Sequence, residues 1–198
     1  RLDFPLHRLM LTGAPAASKA TEETVKAKNV LVTGRPGIGK TTLLEHVVAS
    51  LRGKLRLGGF TTGEILDPAG RRLGFLVTTL DGRQAELARV GVPSRHRVGR
   101  YGVNLEAFER LALPELGRRD VDLLVIDEIG TMECGSGRFR RAVEDALDAV
   151  VPILATVGRT SSPFVDALWE RPDVERLTLT ERNREALGAE LCARWRGA

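Results

Sequence analysis

The chain is poor in cysteine, in aromatic residues and in long apolar runs, and each shortage closes off a class of protein. Its two cysteines, Cys134 and Cys192, stand in unrelated contexts with no C-x-x-C and no histidine cluster nearby. Neither a disulfide framework nor a zinc site is expected, and a reducing cytoplasm is the expected location. Aromatic residues make up 5%, with Tyr101 the single tyrosine, so a basic surface interleaved with stacking rings is not expected. The longest apolar runs are strand-sized, such as Leu123 to Ile126, far short of the ~20 residues a membrane span needs. Charge of one sign is not concentrated either. Thirty Lys+Arg against 26 Asp+Glu give +4, only five of the bases are Lys, and residues 1 to 28 account for half of the excess. A nucleic-acid partner is compatible with the sequence but not indicated by its charge, and a monomer is the default.

What is present is ordinary in bulk: 198 residues, 42% hydrophobic and 28% charged, as in one globular domain. A chain of this size buries roughly 70% of the surface its unfolded form exposes and needs no metal or disulfide to hold a core. Residues 1 to 28 read as a tail, with Asp3, His7 and Arg8 interrupting any continuous apolar segment. The domain is expected over 29–198. Val30 to Thr33 is a β-branched run that stops at Gly34, as a buried parallel strand does. Thr41 to Arg52 carries Leu44, Val47, Val48 and Leu51 at helical spacing, with Gly53 as its stop. Gly58 to Thr79 alternates around Asp67-Pro68-Ala69-Gly70, and Asp81-Gly82 marks a second turn, so an antiparallel hairpin excursion is expected. Asn104 caps a helix that Pro114 bends or ends. Val121 to Ile126 is a strand, and Ser136 opens a helix with a stripe of Phe139, Val143, Ala146, Leu147 and Val150, Arg141 pairing with Asp145 on another face. Pro152 to Val157 and Val174 to Leu179 are strands around a short helix over Pro163 to Trp169. Thr180 caps a last helix with Leu187, Leu191 and Trp195 aligned. The alternation predicts an α/β fold, a mostly parallel central sheet flanked by helices on both faces, with ligands at the carboxyl ends of the strands.

Gly34-Arg35-Pro36-Gly37-Ile38-Gly39-Lys40-Thr41 matches G-x-x-x-x-G-K-[ST] between a strand and a helix. Glycines let consecutive backbone N–H groups face a polyphosphate, and the helix adds the positive end of its dipole. Lys40 is expected on the β- and γ-phosphates, Thr41 on Mg²⁺, and Thr42 beside the same phosphates. The alternative is a decorative glycine turn.

A P-loop alone does not separate hydrolase from kinase or switch, so the second acidic element decides more. Leu123 to Ile126 delivers Asp127 and Glu128 at a strand tip, where Asp127 can hold the metal through water and Glu128 can orient and deprotonate an attacking water. The bland reading of Glu128 is a cap or salt-bridge acid. Thr156 ends the next strand, where its hydroxyl can face the γ-phosphate or simply pack. Arg35, Arg100, Arg159 and Arg184 are candidates to stabilise developing charge on the phosphoryl oxygens. Arg95-His96-Arg97 with Arg100 reads as a solvated basic loop, and His46 faces water or packs.

These residues together resemble the small P-loop nucleoside-triphosphatases first named from thermophiles, whose human member is the cancer-related nucleoside-triphosphatase. Beyond the P-loop the resemblance rests on Gly59-Phe60-Thr61-Thr62 with Glu64, Gly70 to Phe75, Val98 to Val103 with Phe108-Glu109, Ile126 to Gly130 with Met132-Glu133, Ala155-Thr156, and Asn183-Arg184. It implies a P-loop NTPase fold of the RecA/ASCE-like subclass, with an extra strand between the two motif strands and a catalytic Glu after the metal-ligating Asp. It further implies slow, Mg²⁺-dependent hydrolysis of ATP, GTP and other nucleoside triphosphates with little base discrimination. In one place the chain departs from the family pattern: Thr131 stands where the family usually has Lys, and Arg159 is a candidate substitute for that cation. Two other readings are a nucleotide-dependent binding module or nucleic-acid-coupled ATPase, and a small-molecule or nucleotide kinase, against which the Asp127-Glu128 pair argues.

Overall fold

A computed structural model describes residues 27–159 and 162–196; most of the expected tail lies outside the described residues. The first half of the domain contains β1 (Asn29–Thr33), α1 (Lys40–Leu51), β2 (Leu57–Leu66), β3 (Arg72–Thr79), β4 (Gln84–Val90), β5 (His96–Val98), β6 (Tyr101–Val103) and α2 (Leu105–Leu116). The second half adds β7 (Leu123–Ile129), a 3-10 turn (Glu133–Gly135), α3 (Gly137–Asp148), β8 (Ile153–Val157), α4 (Pro163–Trp169), β9 (Val174–Thr178) and α5 (Arg184–Arg194).

All nine strands join one sheet in the order β5-β6-β4-β3-β2-β7-β8-β1-β9. Strands β2, β7, β8, β1 and β9 are parallel neighbours, and β3, β4, β6 and β5 continue the sheet as an antiparallel wing. β8 therefore separates β1 from β7, the two strands that carry the motifs. The wing is the expected excursion, and its two turns fall at Asp67–Gly70 and Asp81–Gly82. The basic segment read as a loop is instead the β5–β6 hairpin. Its strands are only three residues each, too short for a period-two pattern to show.

Side chains alternate across the parallel half, so each strand feeds two cores. Leu31, Leu124, Ile126, Ile153, Ala155 and Val157 pack with α2, α3 and α4; Val30, Val32, Leu123, Val125 and Leu154 pack with α1 and α5. Each such Leu, Ile or Val side chain, fully removed from water, contributes about 1.5–3 kcal/mol before entropy is charged against it. The start of β1 is fixed by polar contacts as well. Asn29, fully buried, donates to Leu147 O at 3.2 Å and Asp173 Oδ2 at 2.8 Å, and accepts from Ile153 N at 3.1 Å. Lys28, placed in the tail by composition, donates to Leu147 O at 2.7 Å and so joins the folded body.

Three local expectations change. Pro114 does not end α2, which runs on to Leu116 and closes on Gly117, because the lost donor falls near the C-terminal end. Val150 is 92% exposed rather than part of the α3 stripe; the helix stops at Asp148, the chain turns extended at Ala149, and Val151 takes the buried place. Arg141 and Asp145 both face solvent without forming an ion pair with each other.

The wing is fastened to the parallel half at Gly59. This residue has φ +106°, and a Cβ there would stand 1.9 Å from Val125 O on the neighbouring strand. Its N–H donates to the buried carboxylate of Glu115 at 2.9 Å, which also pairs with Arg83 from the β3–β4 turn. Gly59→Ala combines a disfavoured conformation with a backbone clash. Its denaturation midpoint should fall by an equivalent of about 3 kcal/mol or more, read in a urea titration.

Candidate active site

The P-loop is shaped by what its ends must pack against. Leu179 N–H donates to Thr33 O at 2.7 Å, closing β9 on the end of β1. Gly34 then passes through a gap where a Cβ would meet Leu179 O at 2.9 Å and Ile38 Cγ2 at 3.0 Å. Arg35, Pro36 and Gly37 are exposed, whereas Ile38 is buried in the core beneath α1 and anchors the loop. Gly39, at φ +100°, turns the chain into α1, which begins at Lys40. The helix starts at the carboxyl end of β1, and its first N–H groups, which have no intrahelical partner, make an anion site built from backbone.

Opposite stands the tip of β7. Asp127 is 1% exposed and Glu128 follows across a cis peptide bond, where the ladder between β7 and β8 skips from Ile126 to Ile129. Lys40 Nζ lies 3.6 Å from Glu128 Oε2, so the P-loop cation and the second acid meet directly. Gly130 and Gly158 line the other side of Glu128; a Cβ would come within 2.9 Å and 3.3 Å of its Oε1. Both glycines leave room for that carboxylate.

Thr156 is placed differently from expectation. Its hydroxyl is fully buried and donates to Asp127 Oδ1, so it orients the first acid rather than facing out of the strand tip. The second oxygen, Asp127 Oδ2, is buried without a hydrogen-bond partner. Burial raises the Asp127 pKa, while the hydroxyls of Thr156 and Thr41 pull it back. A buried carboxylate with one unbonded oxygen, with the Thr41 hydroxyl among the groups that stabilise its charge, is a donor set for a hard divalent cation. Among the described residues there is no group of three or more His, Cys, Asp or Glu that could hold a metal.

The arginines separate into two groups. Arg184 lies against the P-loop, its guanidinium 3.9 Å from where a Gly39 Cβ would be. Arg35 pairs with Glu181, and with Arg159 it lines a cleft of about 930 Å³ running from Gly34 to Trp169 and Arg176. Lys40, Asp127 and Glu128 do not line that cleft, so it flanks the site rather than containing its chemistry. Arg100 is not brought there. It donates to Arg72 O at 2.9 Å on the wing, with β4, β3, β2, β7 and β8 between its hairpin and β1. Thr131 is exposed, and His46 faces solvent. The final helix is capped by position at Asn183, not Thr180; the Thr180 N–H and hydroxyl both donate to Asn183 Oδ1, closing the turn that carries Arg184.

Two participants carried no assigned role in the sequence. Glu133 is 4% exposed and its carboxyl is pushed up to about 8, chiefly by burial and then by the charges of Glu128 and Asp127. Its place in Met132-Glu133 beside the acid pair was the only signal. Glu181, which holds Arg35, had none.

Comparison with known proteins matches residues 29–192 to the NTPase family. A nucleoside-triphosphatase THEP1 of Thermotoga sp. strain RQ2 is 43% identical over 164 residues, covering 82% of this chain and 92% of that protein. The cancer-related nucleoside-triphosphatase homolog of Bos taurus is 37% identical over 183 residues, covering 83% and 95%. Among solved structures, THEP1 from Aquifex aeolicus superposes with a TM-score of 0.75 at 35% identity, covering 83% of this chain and 97% of that one. The human cancer-related nucleoside triphosphatase does so at 0.75 and 36%, covering 87% and 99%. With the P-loop, the paired acids and the intervening strand all in place, the chain belongs to this NTPase family.

Proposed function

We propose that this protein hydrolyses nucleoside 5'-triphosphates to the diphosphate and phosphate, using Mg²⁺ and accepting several bases. The observation that carries the reading is the position of Glu128: directly after the buried Asp127, beside Lys40, near the carboxyl end of β7. A carboxylate there can take the proton of an attacking water or of an acceptor hydroxyl, and phosphate released without an acceptor separates the two.

The P-loop amides and the start of α1 bind the phosphate chain and fix its orientation. Lys40 exchanges the Glu128 carboxylate for phosphate oxygens, which frees Glu128 Oε2 to accept a hydrogen bond from water. That water attacks the γ-phosphorus in line, its proton passes toward Glu128, and the bond to the β-phosphate oxygen breaks. Thr41 and Asp127 would hold Mg²⁺, which would supply neutralisation of the phosphate charge. Arg184, against Gly39 of the P-loop, is the arginine best placed to compensate further charge, while Arg35 and Arg159 line the flanking cleft. No guanine-reading Asn-Lys-x-Asp follows the P-loop, which supports broad base use. The described residues contain no helix long and apolar enough to cross a membrane, and both cysteines are free, in keeping with a cytoplasmic setting.

Phosphate release from ATP, GTP, CTP and UTP by wild type and Glu128→Gln tests the assignment. Loss of the base should lower kcat by about 10²-fold or more with triphosphate binding retained. Normal turnover in Glu128→Gln would remove the proposed base.

The metal position can be tested through stability. Burial raises the Asp127 pKa in the folded state, so this group favours folding below its unfolded value near 3.8 and costs stability as pH rises through its folded value. In chelator at neutral pH, Asp127→Asn should therefore melt about 2–4 °C above wild type, equivalent to about 1 kcal/mol, and the gain should shrink toward pH 4. Added Mg²⁺ with a triphosphate analogue should stabilise wild type more than the variant. A lower melting temperature for Asp127→Asn in chelator would contradict the reading.

A further inference from the structure

The cleft beside the P-loop is left unused by the hydrolytic scheme. It holds about 930 Å³, within the range of sites that take small molecules, and it opens on the loop itself, because Gly34, Arg35 and Ile38 line it. Trp169, the last residue of α4, and Arg176 of β9 line it as well. Trp169 is half-buried, and the Arg176 guanidinium carbon lies 4.6 Å from the centroid of its ring. Arg176 itself is exposed, so the pair offers the cleft a flat cationic surface.

The order of strands gives the cleft a direction. Glu128, with Lys40 beside it, stands at the end of β7, whereas Thr33, Thr178 and Leu179 place the cleft over the ends of β1 and β9, with β8 between β7 and β1. A triphosphate whose γ-phosphorus lies beside Glu128, and whose other phosphates follow the P-loop amides, carries its nucleoside away from β7 and toward β9. That end of a nucleotide is a ribose and a flat heteroaromatic ring.

We propose that this cleft is the nucleoside site of the enzyme and that Arg176, backed by Trp169, is the platform on which the base stacks. The inference rests on the reading of the P-loop and Glu128 as the triphosphate site. Bases stack on guanidinium planes as they do on aromatic rings. Trp169 holds Arg176 from behind by a cation–π contact, so little side-chain freedom is lost when a base arrives. Arg35, at the loop end of the cleft, is engaged by Glu181 and is not the platform. Stacking reads the face of a base, which every base has, and leaves its hydrogen-bonding edge unread. It therefore supplies affinity for the nucleoside with little choice among bases.

The test compares ADP, GDP, CDP and UDP with inorganic diphosphate, which carries the phosphates without the nucleoside; none of the five is a substrate for the proposed hydrolysis. Dissociation constants are measured by calorimetry with Mg²⁺ for wild type, Arg176→Ala, Arg176→Lys and Lys40→Ala, with KM and kcat for the four triphosphates alongside. Arg176→Ala should weaken all four nucleotides about tenfold, as removal of a stacking partner does, and inorganic diphosphate less than twofold. For the triphosphates, KM should rise while kcat holds. Arg176→Lys keeps the charge without the plane and should recover little of the loss. In wild type, saturating nucleotide should change the tryptophan emission and inorganic diphosphate should not, and the change should vanish in Trp169→Phe.

The inference is overturned if Arg176→Ala weakens nucleotides and inorganic diphosphate alike, or weakens neither. It is also overturned if Arg176→Lys binds nucleotides as wild type does, or if the loss falls on one base alone. Emission from wild type decides even where the Arg176 variants fold poorly: no change with nucleotide, or the same change with inorganic diphosphate, overturns the platform. Failure of the underlying reading is distinguishable, since Lys40→Ala would then keep its affinity for nucleotides and inorganic diphosphate. A loss of both in Lys40→Ala beside an unaffected Arg176→Ala removes only the platform.

Discussion

A carboxylate buried at the end of a central strand, with one oxygen bonded and the other left bare, is the constraint around which this site is arranged. Asp127 is held on one side by Thr156 and carries no partner on Oδ2. Leaving such an atom unmet costs on the order of 1–3 kcal/mol, a sizeable part of a domain's net stability. The order of strands makes that arrangement accessible. With β8 between β1 and β7, Thr156 lies beside Asp127, while the P-loop faces the pair across one strand width. The sheet thus accepts a local cost where a cation and a triphosphate can offset it.

The site is also crowded with acid. Asp127, Glu128 and Glu133 stand within a few residues of one another, and Lys40 is the one cation with an ion pair into the group among the described residues. Glycine at 130 and 158 creates the room. The three acids differ in depth: Asp127 and Glu133 are buried, while Glu128 is partly exposed beside Lys40. The arginines that flank the P-loop enter from the P-loop itself, the start of α5 and the end of β8. They are therefore supplied by β1 and the elements next to it, and none comes from the antiparallel wing.

Much of this was legible in the sequence because it is encoded in short, strongly patterned segments. Val30 to Thr33 and Leu123 to Ile126 are apolar on both faces, as only central parallel strands are, and Gly34 to Thr41 admits few other structures. The hairpin excursion showed in its turns. What escaped was set by tertiary contact. Thr156 reads as a strand-tip hydroxyl until the neighbouring strand is known. Arg100 is adjacent to family-like residues in sequence yet is committed to Arg72 on the wing. Val150 fits a helical stripe by spacing, but α3 has already ended. Glu133 gives no local sign of burial, since its depth comes from the turn after β7 and the helices packed over it.

The decisive measurement is a crystal structure with Mg²⁺ and a non-hydrolysable triphosphate analogue. The phosphates should lie in the cradle between Gly34 and Thr42, with the cation or its water shell on Asp127 Oδ2 and Lys40 moved from Glu128 to phosphate. An analogue seated elsewhere, with Lys40 still on Glu128 and Asp127 Oδ2 still bare, would contradict this arrangement.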